Sequence, residues 1–489
     1  MNSIWEIFLD AVAKFPKKIA VADQESKYTY EELFEKVKSI NGLLVKHNTG
    51  NPIVVFARRD IDTVAQILAV IGSGNYYIPL DSSLPQVKLE AILADAKPVA
   101  ILGKKEHVEV LKKINFKGEF YTTSDKSEGA PFAALAGDKP LYMIYTSGST
   151  GKPKGVLKSH SGMISFLDTF SSLFPFEEDT IIGNQTPLFF DASAKDLYLS
   201  IYNGATLEII PSEKFVLPVL LVNYLNERKI NWICWVPSAL CLISQFNTFM
   251  EVKPKYLKRI FFVGEVFPIK QLKKWMENLP DVKFVNLYGS SEMSGVCCYY
   301  EVNEDLENIN VLPMGKAMPN CDITLRNGNQ KINEIGITGE VFISSSALAL
   351  EYYHNEEQTN AVFFKEGNKR VFQSGDLARY DEKGNLCFVS RKDFQIKHMG
   401  RRIELGEIEA ACDKLREINR CCCLYDEKRK MITLFCELNN SNLTSKEIRN
   451  LLKNNLADYM IPGRIKIYEK LPLNANGKID RQSLRETLM

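Results

Sequence analysis

Neither sign of charge is in surplus in this sequence. It has 61 Lys and Arg against 60 Asp and Glu, a formal net charge of +1, and no basic block stands out. Nucleic-acid binding, which rests on a basic face, is therefore not indicated. No apolar run approaches the ~20 residues needed to span a bilayer. The N-terminus, MNSIWEIFLDAVAKFPKK, carries apolar residues at helical spacing with early acids, and lacks the basic and apolar regions of a signal peptide. A cytoplasmic chain with no membrane or nucleic-acid partner is the expectation. Histidine is scarce, and His47, His107, His160, His354 and His398 have no metal-ligand spacing. Cysteine is absent from the first 233 residues, and the 11 present include no CxxC pair. Neighbours such as Cys421, Cys422 and Cys423 point to opposite faces of a strand, which suits zinc poorly. Reduced, mostly buried thiols acting as small hydrophobes are expected.

What is present is an ordinary globular balance, with 45% hydrophobic and 25% charged residues. At 489 residues the chain is too long for one hydrophobic core. Apolar β-rich runs alternate with amphipathic stretches. NPIVVFA (51–57) precedes the helical TVAQILAVIGSG (63–74), and KPVAILG (97–103) precedes a lysine-rich helix. LVNYLNERKINWICWVP (221–237) reads as helix then buried strand, and RIFFVG (259–264) and FVNLYG (284–289) as further strands. This alternation implies an α/β fold of layered sheets with largely parallel strands. From about 336 short strands and turns take over, with DEKG (381–384) as a hairpin turn. After Asp393 a small α+β unit follows, with helices expected near 406–417 and 445–457. The expected division is a large N-terminal domain, 1–393, and a small C-terminal domain, 394–489. There is no internal repeat, and no further domain is expected after the closing NGKIDRQSLRETLM.

The strongest local signal is YTSGSTGKPKG (145–155), which follows the strand-like LYMIY. Glycines let backbone N–H groups approach phosphate oxygens, while hydroxyls and Lys154 add donors and positive charge. It is not a Walker A loop, because Pro153 follows Lys152 where Ser or Thr would sit. With YTYEEL (28–33), SGNYYIPLDSSLP (73–85) and NGKIDR (476–481) in the same order, the chain resembles the adenylate-forming superfamily. That superfamily includes acyl-CoA synthetases, luciferases and the adenylation domains of nonribosomal peptide synthetases. Within it the chain is most similar to free-standing amino-acid adenylation enzymes, D-alanine–carrier-protein ligases among them. The resemblance covers nearly the whole chain. It implies a large N-terminal domain with a small mobile C-terminal lid, and ATP and Mg2+ as cofactors.

The resemblance assigns roles residue by residue. Thr146, Ser147, Gly148, Ser149, Thr150, Gly151 and Lys154 would cradle the phosphates. NLYGSSE (286–292) is similar to the motif N-x-Y-G-P-T-E, so Asn286, Leu287, Tyr288, Gly289, Ser290 and Ser291 would border the nucleotide and Glu292 would hold Mg2+, a hard cation that takes oxygen ligands. Ser290 stands where proline is usual, and Ser291 keeps the hydroxyl. Gly264, Glu265 and Val266 would border the adenine. Asp376 in SGDL and Arg391 would bind the ribose. Lys478 in NGKIDR would bridge the attacking carboxylate and the α-phosphate, reducing the repulsion of two anions. Asp393 would be the hinge about which the lid turns, and the lid face around Gly400 would line the path of the thiol. SSALALEYY (345–353) departs from its motif, with Leu350 and Glu351 where arginine and glycine are usual, which bears on local loop geometry.

FFDASAKD (189–196) is similar to the segment that supplies an aspartate to a substrate's α-amino group, here Asp191. A buried carboxylate is costly unless paired, so a substrate ammonium is its expected partner, and des-amino acids are expected to lose several kcal/mol. Ala192, Lys195, Cys234, Phe261, Val263, Leu287, Gly295 and Val296 would line the side-chain pocket. Lys195 has two readings: an inward ammonium meeting an acidic or carbonyl side chain, or a stem that lines the pocket while the ammonium reaches water. The implied activity is formation of an aminoacyl-adenylate and transfer to the phosphopantetheine thiol of a carrier protein in trans. An acyl- or aryl-CoA ligase is the alternative that Asp191 opposes. A non-catalytic binding protein on the same fold is the alternative that Lys478, Glu292 and Asp376 oppose.

Overall fold

The alternating apolar and amphipathic segments fold into sheets with helices packed between them. The computed structural model spans residues 1–489 and describes all but 126, 134, 147–152, 304, 305, 308, 310, 394, 440–442, 475–478 and 489. YTYEEL is a helix start. Thr29 and Glu32 each accept the other's backbone N–H, a reciprocal capping box that opens the helix Tyr30–Leu44. Asp60 caps the next helix, Ile61–Gly72, in which every residue but Asp62 is buried, as expected of a helix apolar all round.

Among the described residues one sheet has nine strands. Six of them, including Ile181–Asn184, Trp232–Trp235, Arg259–Val263 and Lys283–Tyr288, run parallel. A second sheet of seven strands contains Pro52–Phe56, Tyr76–Leu80, and the antiparallel pair Pro140–Thr146 and Lys154–Ser159. The main core joins them: Val55, Leu68, Phe166, Leu197, Leu207 and Phe261 share one cluster. Ile260 and Phe262 belong to a second cluster on the other face of the nine-stranded sheet. Adjacent residues of Arg259–Val263 thus serve opposite cores, so the run reads as continuously apolar.

The shift near 336 marks a third sheet, whose longest strand, Lys369–Tyr380, turns into Leu386–Arg391. In that turn Asp381 Oδ1 accepts the N–H groups of Lys383 and Asn385 at 2.9 and 2.7 Å, the hairpin that DEKG signals. Beyond Asp393 lie a two-stranded hairpin, Gln395–His398 with Arg401–Glu404, and a three-stranded sheet, Ile418–Asp426, Met431–Leu438 and Arg464–Tyr468. The helices here, Leu405–Asp413 and Ser445–Lys453, end earlier than expected. Leu415 and Leu456 keep the apolar period going after the helix has stopped, because both pack on the same core from turns. Cys421 and Cys423 enter that core with Cys412 and Cys436, and Cys422 enters a separate one with Phe435 and Leu484. The cysteines are free thiols, buried except for Cys321 and Cys387. Among the described residues no helix is long and apolar enough to cross a membrane.

Candidate active site

A cavity of about 260 Å³ opens at the carboxyl ends of the four parallel strands named above, where doubly wound sheets hold ligands. Gln185, Val236, Gly264 and Gly289, each just past a strand end, form one wall, and Thr146 another. The hairpin 395–404 covers it, contributing Lys397, Gly400, Arg401 and Arg402. Ser147, Gly148, Ser149, Thr150, Gly151 and Lys478 lie outside the described residues. Their neighbours bound the loop: Thr146 and Lys154 pair across the two antiparallel strands it joins. Lys154 sits 5.6 Å from the ring of Tyr352, and burial lowers its pKa.

On the side expected to hold the nucleotide, Ser290, Ser291, Asp376 and Arg391 reach the cavity. Register places Asp376 opposite Arg391, whose Nη1 donates to Asp376 Oδ1 at 2.5 Å. Tyr288 Oη donates to Oδ2, so this tyrosine orients Asp376 from behind and is not itself on the cavity wall. Arg391 also donates to both oxygens of Asp393, at 2.7 and 2.8 Å. Burial opposes the charge on Asp393, and these bonds outweigh it, holding the carboxyl below its usual range. Asn286 is spent on the carbonyl of Pro313 at 2.7 Å, and Val266 points outward, 44% exposed. Glu265 bridges the two parts of the chain, accepting from Ser238 N at 2.9 Å and from Gly400 N at 3.0 Å. Met399 and Gly400 form the hairpin turn, with φ of 51° and 74°. A Cβ on Gly400 would stand 2.3 Å from Val236 Cγ1, so only glycine seats the turn here.

Glu292 is 1% exposed and fully engaged by this chain's own groups. Arg402 Nη1 donates to Oε1 and Oε2 at 2.7 and 2.9 Å, and Tyr352 Oη donates to Oε1 at 2.7 Å. Burial raises the Glu292 pKa, but the Arg402 charge and the Tyr352 hydroxyl override it and bring it down to about 2. The carboxylate is the oxygen donor that Mg2+ takes, yet with the hairpin in this position a guanidinium already neutralises it. The residues fit the metal only once Arg402 withdraws. Tyr352 belongs to the divergent segment 345–353, within which Glu351–Tyr352 pairs antiparallel with Lys154–Ser159.

Several expectations for the substrate pocket need correction. Asp191, first residue of the helix Asp191–Tyr202, does line the cavity, but its carboxylate is not waiting for its first partner. Lys158 Nζ donates to Oδ1 at 2.6 Å and Tyr142 Oη donates to the same oxygen at 2.9 Å. Among the described residues Oδ2 has no hydrogen-bond donor. Lys195 lines the cavity without snorkelling. It is 4% exposed, and its ammonium is bonded to Asp196, itself held by Asn184 at 3.0 Å. Burial opposes the lysine's charge, and the Asp196 carboxylate outweighs it, keeping Lys195 protonated. The reading in which the ammonium reaches water does not hold; the side chain stays inside, with its charge matched by Asp196. Ala192, Cys234, Val263, Gly295 and Val296 reach the cavity as expected; Phe261 and Leu287 do not. Phe261 lies two residues up its strand from Val263, about 7 Å from the mouth at the rise of a strand. There its ring packs against Phe170, Phe174 and Trp232. Leu287 is buried in the same core. Sequence reasoning missed Arg59, Lys158, Tyr352, Arg401 and Arg402. Arg401 spans the rings of Phe190 and Tyr459, at 4.8 and 4.4 Å.

The sequence matches the family model described as AMP-binding enzyme over residues 8–353, and that of the AMP-binding enzyme C-terminal domain over 407–478. It is 31% identical to the D-alanine–D-alanyl carrier protein ligase of Lactococcus lactis over 506 residues, covering 99% of both chains. It is 29% identical to a mycosubtilin synthase polypeptide of Bacillus subtilis, covering 99% of this chain but only 19% of that much longer protein. The fold is shared with the adenylation domain AlmE of Vibrio cholerae, solved with glycyl-adenosine-5'-phosphate, at a TM-score of 0.86 and 19% identity over 100% of this chain and 98% of that one.

Proposed function

Because the chain belongs to the family of AMP-binding enzymes, we propose that it activates an amino acid with ATP, releasing pyrophosphate, and passes the aminoacyl group to a carrier-protein thiol. The observation that carries this reading is the pairing, in one cavity, of Asp191 with a free Oδ2 and the nucleotide-side couple Asp376–Arg391. A substrate α-ammonium takes Oδ2. Its carboxylate then points along the cavity towards Thr146, where the α-phosphate is expected. The enzyme's part in the attack is to hold two anions together. Arg391 is a cation already on the cavity wall, and Lys154 and Lys478 complete the set by motif. Mg2+, held at Glu292, supplies further charge compensation to the phosphates when bound.

On this reading the two half-reactions use different positions of the segment 394–489, with Asp393 as hinge and 1–393 as the fixed part. Ile403 of the cavity-facing hairpin and Leu405 at the start of the helix that follows pack on one face of the three-stranded sheet, and Ile479 on the other. The hairpin-inward position, in which Arg402 replaces Mg2+ on Glu292, then belongs to the thiol step. The acceptor is a separate carrier protein, a reading supported by the carrier-protein ligase that this chain spans to 99%. A cytoplasmic setting, where thiols stay reduced, suits both the acceptor and the 11 cysteines.

The test is ATP–pyrophosphate exchange across a panel of amino acids and plain carboxylic acids. Amino-acid-dependent exchange that requires Mg2+ is expected. Lys478→Ala should lower it by a factor of hundreds, the usual cost of one preorganised donor at a developing anion. Exchange with plain acids only would replace this reading with the acyl-CoA ligase alternative.

A further inference from the structure

Lys158 is the fully buried cation that the proposed function does not use. It sits in a strand whose last five residues are all buried, 0% exposed itself, directly across from Tyr142 in the register of the antiparallel pair. Residues opposite one another in such a ladder share a face, and here both side chains converge on one atom, Asp191 Oδ1. The rest of the Lys158 ammonium is accounted for: it donates to the Met293 carbonyl at 2.7 Å and lies 5.3 Å from the Tyr142 ring. Tyr142 is itself fixed from behind, stacked on Tyr77 at 5.3 Å, whose hydroxyl accepts from Tyr198 at 2.8 Å. Lys158 thus has no route to water or to the substrate. Its charge is spent on Asp191 alone.

We propose that Lys158 is a specificity-determining residue that sets how strictly the enzyme demands an α-amino group. A carboxylate there with no internal partner, its side chain 23% exposed, would favour one strongly, because solvent screens the charge only in part. With Lys158 in place the carboxylate keeps its counter-charge whatever the substrate carries. An incoming ammonium then adds a hydrogen bond at Oδ2 to an already neutral pair, and meets a second cation on the far oxygen. The substrate class widens accordingly. Amino acids remain preferred, and carboxylic acids of the same shape with hydrogen or hydroxyl at Cα are accepted at a modest disadvantage.

This rests on the reading of Asp191 as the α-amino site, and the two fail separately. Exchange with no amino acid at all removes that reading. The present proposal is tested by the ratio of kcat/KM for the best amino acid to that for its des-amino and α-hydroxy analogues. In the unaltered enzyme the ratio is expected below about 100, the worth of one hydrogen bond to a charged group; a larger ratio overturns the proposal. In Lys158→Met, which keeps the apolar stem, the ratio should rise at least about tenfold, because only the amino acid now neutralises Asp191. A smaller rise, no change or a fall overturns the proposal. A lysine with a purely structural role would depress both substrates alike and leave the ratio where it was. If Lys158→Met does not fold, the ratio in the unaltered enzyme decides.

Discussion

Replacing Arg402 should separate the two half-reactions. Arg402 makes both its short contacts to Glu292 with Nη1, at 2.7 and 2.9 Å, and Glu292 is 1% exposed. Removing one partner of a buried ion pair costs about 3–5 kcal/mol. The Arg402 side chain is 21% exposed, so the lower end applies, about 3 kcal/mol or roughly 100-fold in the population of the hairpin-inward position. The loss falls only where the pair exists. On the proposed function, withdrawal of the hairpin would leave Glu292 to Mg2+, and Arg402 would then be irrelevant to it. Arg402→Met keeps the apolar stem and should slow transfer from preformed adenylate to the carrier thiol by about 100-fold, while ATP–pyrophosphate exchange stays within about threefold of the unaltered enzyme. Single-turnover transfer and steady-state exchange measure the two separately. Equal losses in both assays, or transfer within about threefold, would refute the assignment of Arg402 to the thiol step.

Gly400→Ala should act the same way through sterics, since its Cβ would meet Val236 Cγ1 at 2.3 Å; transfer lost with exchange retained is the expected pattern, and undiminished transfer would contradict it. Lys195→Met and Asp196→Leu should each destabilise the fold by about 3–5 kcal/mol as an orphaned buried charge, and the double variant by much less than the sum; additive shifts in the thermal midpoint would show that the pair is not coupled. His160 should weaken the fold in acid. Its Nδ1 accepts from Ile4 N at 3.1 Å, so the proton sits on Nε2, and burial lowers its pKa from 6.5 to about 4. Between those values the unfolded chain binds a proton that the fold refuses, so stability is complete above pH 6.5 and declines, by up to about 3 kcal/mol, as pH falls towards 4. Urea midpoints taken from pH 7 to 4.5 should fall less steeply in His160→Gln; an unchanged slope would exclude His160 as the source.

What was legible in the sequence is what neighbouring residues decide. The strand RIFFV and the DEKG turn are both settled within a few positions. What was missed depends on residues far apart in the chain: Lys158 reaches Asp191 across 33 positions, Tyr352 reaches Glu292 across 60, and Arg402 reaches it across 110. One signal for Lys158 was available. In GVLKS it stands in a run with no exposed face, where a lysine needs an internal anion. Lys195 misled for the opposite reason. Its anion is the next residue, and adjacent positions on a helix do not ordinarily face each other. Phe261 failed on depth: the right face of a strand lines a site only at the strand's carboxyl end.

The central claim is that the activated acid is an amino acid and its acceptor a carrier-protein thiol. Intact-protein mass spectrometry of a phosphopantetheinylated carrier protein, incubated with this enzyme, ATP, Mg2+ and an amino-acid panel, tests it most directly. The account predicts a mass gain equal to one aminoacyl group, reversed by hydroxylamine and absent without ATP. Acylation of free coenzyme A as efficient as that of the carrier, or a gain seen only with acids lacking an amino group, would contradict it.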